Sequence, residues 1–320
     1  MAVTQARQVL IFGSGAIGIT FGSLFMRCPN LHVSMLCRSN FDVARDVGFK
    51  HITATNQEHS FRPHSLVRSF QDIRGKAFDY IICSNKAYTR DGACWLADLD
   101  QLHDQRTVFV AAQNGLLAAN QLSKRFPHSP VLSAICYVGC QQTPLGVVRE
   151  HSRMNSHAFS LGLATNNQAT EAARQFIVST HPTQIRATDN LRKDMWEKAV
   201  FNAAVNTSTA LLNQNTHQVV QSLEGRSWIT DLASEATSVA ILAGVDVRSD
   251  MPRQVLNHLA AMPPFVPSML QDKRRQKPLE IESICGHIMD IAEDLGVFVP
   301  RLSTILACKQ DQRESDKSEE

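Results

Sequence analysis

Gln8-Val9-Leu10-Ile11-Phe12-Gly13-Ser14-Gly15-Ala16-Ile17-Gly18 is the stretch on which the fold turns. Val9 to Phe12 is an unbroken apolar run of strand length, and Ile17–Met26 behind it has the periodicity of a helix. Between them Gly13, Gly15 and Gly18 hold the G-x-G-x-x-G spacing. That spacing alone is weak evidence, but directly after a strand and directly before a helix it is strong. A second strand-like run, His32–Cys37, follows the helix, so the chain opens with a β-α-β unit.

Working outward, Tyr80–Cys83, Thr107–Ala111 and Val131–Val138 read as further strands, with Arg90–Leu102 and Leu116–Phe126 as helices. This alternation is what a parallel sheet with crossover helices requires. A β-like stretch from Gly146 to Leu163 precedes a helix over Asn167–Ser179 and a short strand at Gln184–Arg186. From about Thr188 helical segments dominate: Leu191–Leu212, Ser227–Ala243, Met251–Ala261 and Leu279–Leu295. The expected fold is α/β, with an N-terminal Rossmann-type parallel-sheet domain over residues 1–187 and an all-helical domain over 188–309. Residues 310–320 are polar without an aromatic and read as a disordered tail.

The glycines carry a chemical implication. The first permits the tight turn, the second lets a pyrophosphate approach the backbone, and the third lets helix and strand pack closely. Gly13, Ser14, Gly15, Ala16, Ile17 and Gly18 would form a dinucleotide diphosphate site, because the N–H groups and dipole of a helix N-terminus favour anions. At the end of the second strand an NAD-binding chain places an acid for the ribose hydroxyls; here stand Leu36, Cys37, Arg38 and Ser39. A guanidinium at Arg38 suits the 2′-phosphate of NADPH, with a plain surface arginine as the alternative. Asp42 lies too far along, in the next helix, to be the missing acid.

Composition narrows the classes. The chain has 320 residues, 43% hydrophobic and 19% charged, and a formal net charge of +2. This describes a globular protein of two domains with no broad phosphate-binding surface, so no nucleic acid is expected. Its densest basic stretch, Lys273, Arg274, Arg275 and Lys277, reads as a solvated face. Eight cysteines without a C-x-x-C pair read as reduced thiols, with no metal site expected. No apolar run reaches the ~18 residues of a membrane span, and the early strand leaves no signal peptide, so no membrane partner and a cytoplasmic location are expected.

In the second half, Lys198, Asn202 and Asn206 recur every fourth residue, within about 80° of one helix face. Their neighbours Ala199, Val200, Phe201, Ala203, Ala204 and Val205 are apolar. On so apolar a helix these polar groups must line a cavity or satisfy one another. A positioned ammonium can stabilise negative charge developing on a carbonyl oxygen and then donate a proton.

Several separated segments together resemble the ketopantoate (2-dehydropantoate) 2-reductase family. They are the Gly13–Gly18 turn with Arg38, Asn85-Lys86-Ala87, Gln113-Asn114-Gly115, and Trp196-Glu197-Lys198 with Asn202 and Asn206. Ser268-Met269-Leu270-Gln271-Asp272 and Glu280 with Gly286 complete the series, which spans nearly the whole chain. The resemblance implies hydride transfer from NADPH to the keto carbon of a small-molecule 2-oxo acid, 2-dehydropantoate giving pantoate, as in pantothenate biosynthesis. It implies Lys198 and Glu280 as catalytic residues, Lys86 and Asn114 near the cofactor, and Asn202, Asn206 and Ser268 on the substrate. Plain alternatives stay open for three of these: turn chemistry at Asn114-Gly115, a helix N-cap at Ser268, and an exposed helical glutamate at Glu280. A homodimer stays open. The family commonly has Pro, Thr, Asp and Asn where this chain has Thr207, Leu279, Glu282 and Cys285. Reduction of another keto metabolite and a catalytically idle NADPH-binding sensor are therefore the alternative functions.

Overall fold

The structure, a computed structural model, describes residues 6–87, 93–102 and 104–307; the expected tail at 310–320 lies outside them. The described residues as far as Ala87, those from 93 to Gln113, and Ala118–Leu191 form one compact unit. Asn114–Leu117 and the described residues from Arg192 onward form the other.

The first unit runs β1 (Arg7–Phe12), α1 (Ala16–Phe25), β2 (Leu31–Leu36), α2 (Phe41–Asp46), β3 (Phe49–Ile52), β4 (Glu58–Phe61), β5 (Ser65–Val67) and β6 (Tyr80–Cys83). It continues through α3 (Ala93–Leu99), β7 (Val108–Ala111), α4 (Ala118–Arg125), β8 (Val131–Cys136), β9 (Val138–Gln142), β10 (Val147–Arg153), β11 (Phe159–Leu163), α5 (Gln168–Thr180) and β12 (Ile185–Ala187). The main sheet has the order β12-β11-β8-β7-β6-β1-β2-β5. Six neighbours from β5 to β8 are parallel, while β11 runs antiparallel to β8, so the sheet is mixed at one end.

Its central strands are buried along both faces, as a sheet covered by helices on each side demands. Alternation along the strand sorts the side chains: Val9, Ile11, Ile82 and Val110 enter the core with Phe21 and Phe25 of α1. Leu10, Phe12, Ile81 and Phe109 enter the other, with Trp95, Leu99 and Leu122.

A second sheet, β4-β3-β10-β9, was not foreseen from the sequence. β3 and β4 are four residues each, FKHI and EHSF, and their inward faces mix Phe with His, so no apolar run marks them. The expected strand Val131–Val138 breaks at Tyr137, where the chain leaves β8 for β9 of this smaller sheet.

The second unit is α6 (Leu191–Phe201, beginning at the last residue of the first unit), a π-helical stretch Asn202–Asn206, α7 (Thr207–Leu212), α8 (Thr216–Gln221), α9 (Leu223–Leu242), α10 (Met251–Ala261) and α11 (Ser268–Arg274). A second π stretch, Glu282–Gly286, leads into α12 (His287–Asp294), and residues 300–307 are helical. Its described residues carry no strand. α9 begins ahead of the expected Ser227 because Ser222 caps it, its hydroxyl accepting from the Gly225 N–H at 2.9 Å. The basic stretch on α11 is not simply solvated. Lys273 Nζ donates to the Ala210 and Leu211 carbonyls at 2.7 and 3.3 Å, and Arg274 donates to Asn213, answering the open carbonyls at the end of α7.

Candidate active site

In the first unit the glycine turn has the shape its spacing implies. Gly13 has φ +104°, and a Cβ there would stand 2.6 Å from the Asn85 nitrogen. A Cβ on Gly18 would stand 1.8 Å from the Gly13 carbonyl oxygen, so only glycine lets α1 start this close to β1. Gly15 differs: nothing lies within 4 Å of its Cβ position, which leaves that side of the turn clear for a ligand. No side chain caps α1, so Ala16, Ile17 and Gly18 open the helix with its positive end unscreened by an acid. These residues fit a dinucleotide diphosphate on geometry.

The turn is fixed by a clasp that the sequence reading missed. Ser14 Oγ donates to Asn40 Oδ1 at 2.7 Å, and Asn40 Nδ2 donates back to the Ser14 carbonyl at 2.7 Å. Both residues are buried, and the clasp ties the glycine turn to the loop after β2. Ser84 Oγ, donating to the Gly13 carbonyl at 2.7 Å, holds the other side. The reach of 26 residues from Asn40 back to Ser14 leaves no signal in the local sequence.

Arg38 and Ser39 are exposed at the end of β2. Asp42 is engaged elsewhere, accepting from Arg68 at 2.7 Å and pairing with Arg45 at 3.1 Å. No carboxylate therefore substitutes for the acid of NAD-binding chains on this segment. Asn85, held by Gln113 Nε2 at 3.1 Å, and half-buried Lys86 follow β6 at the C-terminal edge of the sheet, where open α/β sheets bind ligands.

In the second unit the helix expected to be continuous from Leu191 to Leu212 changes pitch at Asn202–Asn206. Three successive hydroxyls accompany the change, Thr207, Ser208 and Thr209 donating to the carbonyls of Ala203, Ala204 and Val205. Such back-bonding bends helices, and single π turns concentrate at functional sites. The asparagines are buried here and form a line: Asn206 Nδ2 donates to Asn202 Oδ1 at 3.4 Å, and Asn202 Nδ2 donates to Asn114 Oδ1 at 3.4 Å. Asn114 thus belongs with the helical asparagines, a grouping that sequence distance concealed.

The second π stretch completes this arrangement. Gly115, at φ +94°, packs so closely on it that a Cβ would stand 2.1 Å from the Ser283 carbonyl oxygen. Turn chemistry and site geometry at Asn114-Gly115 are therefore one feature. Glu280, at the entry to this stretch, is only 4% exposed, which removes the exposed-glutamate reading, and Ser283 Oγ donates to its carbonyl at 3.1 Å. Ser268 is the first helical residue of α11 and Pro267 is the cap residue, so the capping role is not the one Ser268 fills.

Lys198, half-buried on α6, lies 5.4 Å from the Phe201 ring centroid, and that ring meets His258 of α10 edge-on at 5.7 Å. Burial and then the Lys198 charge push the His258 imidazole pKa down, keeping it neutral near pH 7. Burial also raises the neighbouring Glu197 carboxyl, one oxygen of which is buried without a hydrogen-bond partner among the described residues. No group of three or more potential metal ligands occurs among the described residues. Nor is any of their helices long and apolar enough to cross a membrane.

A two-unit chain with a dinucleotide turn in one unit and, in the other, a half-buried lysine on the helical run of two buried asparagines has the makings of an oxidoreductase of the Rossmann class. The family models described as "Ketopantoate reductase PanE/ApbA" and "Ketopantoate reductase PanE/ApbA C terminal" match residues 9–164 and 190–312. The chain belongs to the ketopantoate reductase family. It is similar to a 2-dehydropantoate 2-reductase of Nostoc sp., 20% identical over 304 residues and 93% of each chain. Among solved structures, a 2-dehydropantoate 2-reductase from Methylococcus capsulatus is 24% identical, with a TM-score of 0.79 over 96% of this chain and 97% of that one. A D-mandelate dehydrogenase solved with NADH and anilino(oxo)acetate is 18% identical, with a TM-score of 0.81 over 96% and 98%.

Proposed function

We propose that the protein reduces a 2-oxo acid to the 2-hydroxy acid with NADPH, and that its substrate is 2-dehydropantoate, giving pantoate. The observation that carries this reading is the line formed by half-buried Asn114 with buried Asn202 and Asn206, the latter two on the same helical run as Lys198 in an otherwise apolar stretch. Buried amides joined only by long hydrogen bonds keep capacity for further partners, which a polar substrate supplies.

When bound, the reduced nicotinamide supplies the hydride. The Gly13–Gly18 turn holds the diphosphate, Arg38 the 2′-phosphate, and Lys86 stands at the sheet edge on the cofactor side. Lys198 stabilises the negative charge that grows on the carbonyl oxygen and gives that oxygen its proton. Asn202, Asn206 and Ser268 orient the hydroxyl and carboxylate of the acid, Asn114 serves both ligands, and buried Glu280 is the second catalytic residue. The named reductases among the relatives support this assignment. The mandelate dehydrogenase neighbour and the changed positions Thr207, Leu279, Glu282 and Cys285 favour, as the second reading, a different 2-oxo acid in the same chemistry.

The test is oxidation of NADPH by the purified chain with 2-dehydropantoate and a panel of other 2-oxo acids. Turnover of 2-dehydropantoate with the highest kcat/KM supports the first reading, and preference for another acid supports the second. Dinucleotide binding without turnover of any acid overturns both.

A further inference from the structure

The first unit contains a polar cavity of about 120 Å³ that is separate from the glycine turn. Thr20 of α1, Arg27 just beyond its end, His51 and His59 of the small sheet, Arg153 of β10 and His181 after α5 line it. The cavity arises from an interruption in a sheet face. β3 and β4 pair in antiparallel register, Phe49 with Phe61 and His51 with His59, so each pair projects on one face. One end of that face is apolar and packs as core through Phe49, Phe61 and Val148. At the other end the pattern turns to His51, His59 and Glu150, although burying polar groups there costs stability.

Glu150 is fully engaged. It accepts from His51 Nε2 at 3.0 Å, from Arg153 Nη2 at 2.7 Å and Nε at 2.9 Å, and from the Ala54 N–H at 3.2 Å. Besides Glu150, the charged side chains lining the cavity are Arg27 and Arg153. His51 is 2% exposed, and its Nδ1 is buried without a hydrogen-bond partner among the described residues. The Arg27 guanidinium bonds the Ser23 carbonyl through Nε at 3.1 Å, and among the charges acting on His59 and His181 its own is the largest. Burial first, and that charge second, push both imidazoles down, His181 to about 4. The two arginines thus outnumber the single carboxylate, and the excess positive charge faces an open space of several water volumes.

We propose that this cavity binds a small oxyanion, a phosphate or carboxylate group, held by Arg27 and Arg153 with His59 and His181 as hydrogen-bond donors. Its size admits inorganic phosphate or a short dicarboxylate and excludes a dinucleotide. The site is independent of turnover, so it stands or falls apart from the reaction proposed above.

Thermal unfolding of the full chain is measured with inorganic phosphate, with malonate and with sodium chloride at matched ionic strength. Phosphate or malonate should raise the Tm saturably by about 2–4 °C at roughly ten times its dissociation constant, with chloride giving less. The arm that saturates at lower concentration identifies phosphate or carboxylate as the preferred group. Arg27→Met, at the exposed rim, should abolish the rise, and Arg38→Ala should retain it, which separates this site from the dinucleotide segment. In the wild type, the His59 and His181 proton resonances should titrate at higher pH when the anion is present. Equal shifts with chloride, retention in Arg27→Met, or unmoved histidine titrations overturn the proposal.

Discussion

Replacing Gly115 by alanine tests the candidate active site at its tightest point. The new Cβ would start 2.1 Å from the Ser283 carbonyl oxygen, and an ordinary carbon–oxygen contact requires the turn or the π stretch to retreat by about 1 Å. Two costs combine. An L-residue held at φ +94° carries about 1–2 kcal/mol of backbone strain, and overpacking adds about 1–3 kcal/mol, so destabilisation of about 2–5 kcal/mol is expected. The retreat also carries Asn114 away from Asn202, whose 3.4 Å hydrogen bond has no length to spare. A misplacement of about 1 Å in a positioning group lowers activity by roughly 10²-fold, and kcat/KM for the 2-oxo acid should fall accordingly. Gly244 supplies the control, since it has φ +74° and nothing within 4 Å of its Cβ position. Gly244→Ala should show only the backbone strain, about 1–2 kcal/mol, with unchanged kinetics. Urea unfolding and steady-state kinetics of both folded variants decide the matter. A Gly115→Ala enzyme with near wild-type kcat/KM and no more destabilisation than Gly244→Ala would refute the packing of this turn on Ser283 and its role in the site.

Three further outcomes are expected. Arg38→Ala should weaken NADPH binding by about 1.5–3 kcal/mol and leave NADH binding unchanged in a fluorescence titration; an unaltered preference removes the 2′-phosphate assignment. Lys198→Ala should bind NADPH, lose roughly 10²–10⁴-fold in kcat, and lose the high-pH limb of the rate profile. In the same variant the His258 pKa, read by NMR, should rise, because one of the two causes holding it down is gone; near-normal turnover would end the proton-donor assignment. Glu150 concerns stability. Burial alone would raise its carboxyl, but hydrogen bonds from His51 and Arg153, with the Arg153 charge, hold it below the usual range. Its stabilisation is thus present above the unfolded value near 4.3 and lost as pH falls through the lower folded value. Glu150→Gln should be less stable at pH 7 and show a flatter loss of stability on acidification; an unchanged acid-unfolding profile contradicts this.

The legible parts of the molecule share a cause. β1, β6 and β7 are buried on both faces, so their sequences are continuous apolar runs between turn residues, and each announces itself locally. Met251–Ala261 was read with its observed bounds because an amphipathic period and Pro252 near its start are also local signals. β3 is illegible for the opposite reason, its strand character being supplied by a partner nearly a hundred residues away in β10, and β4 in turn pairs with β3. The candidate residues divide in the same way. Lys198, Asn202 and Asn206 stood out as polar positions on an apolar helix, while the π pitch that sets their spacing left no mark except three hydroxyl residues in a row.

Local chemistry in the chain determined the β-α-β opening, the glycine turn, the absence of an acid at the end of β2, and the change from a sheet-forming to a helical half. Each depends on residues within about one element of one another, where backbone sterics and hydrophobic periodicity act directly. Tertiary structure alone decided the Ser14–Asn40 clasp, the seating of Gly115 on Ser283, the joining of Asn114 to Asn202, and the cationic cavity beneath the small sheet. These unite residues tens to more than a hundred positions apart. Which buried polar groups find each other there is set by the packing of whole elements, a property that no stretch of sequence carries within itself.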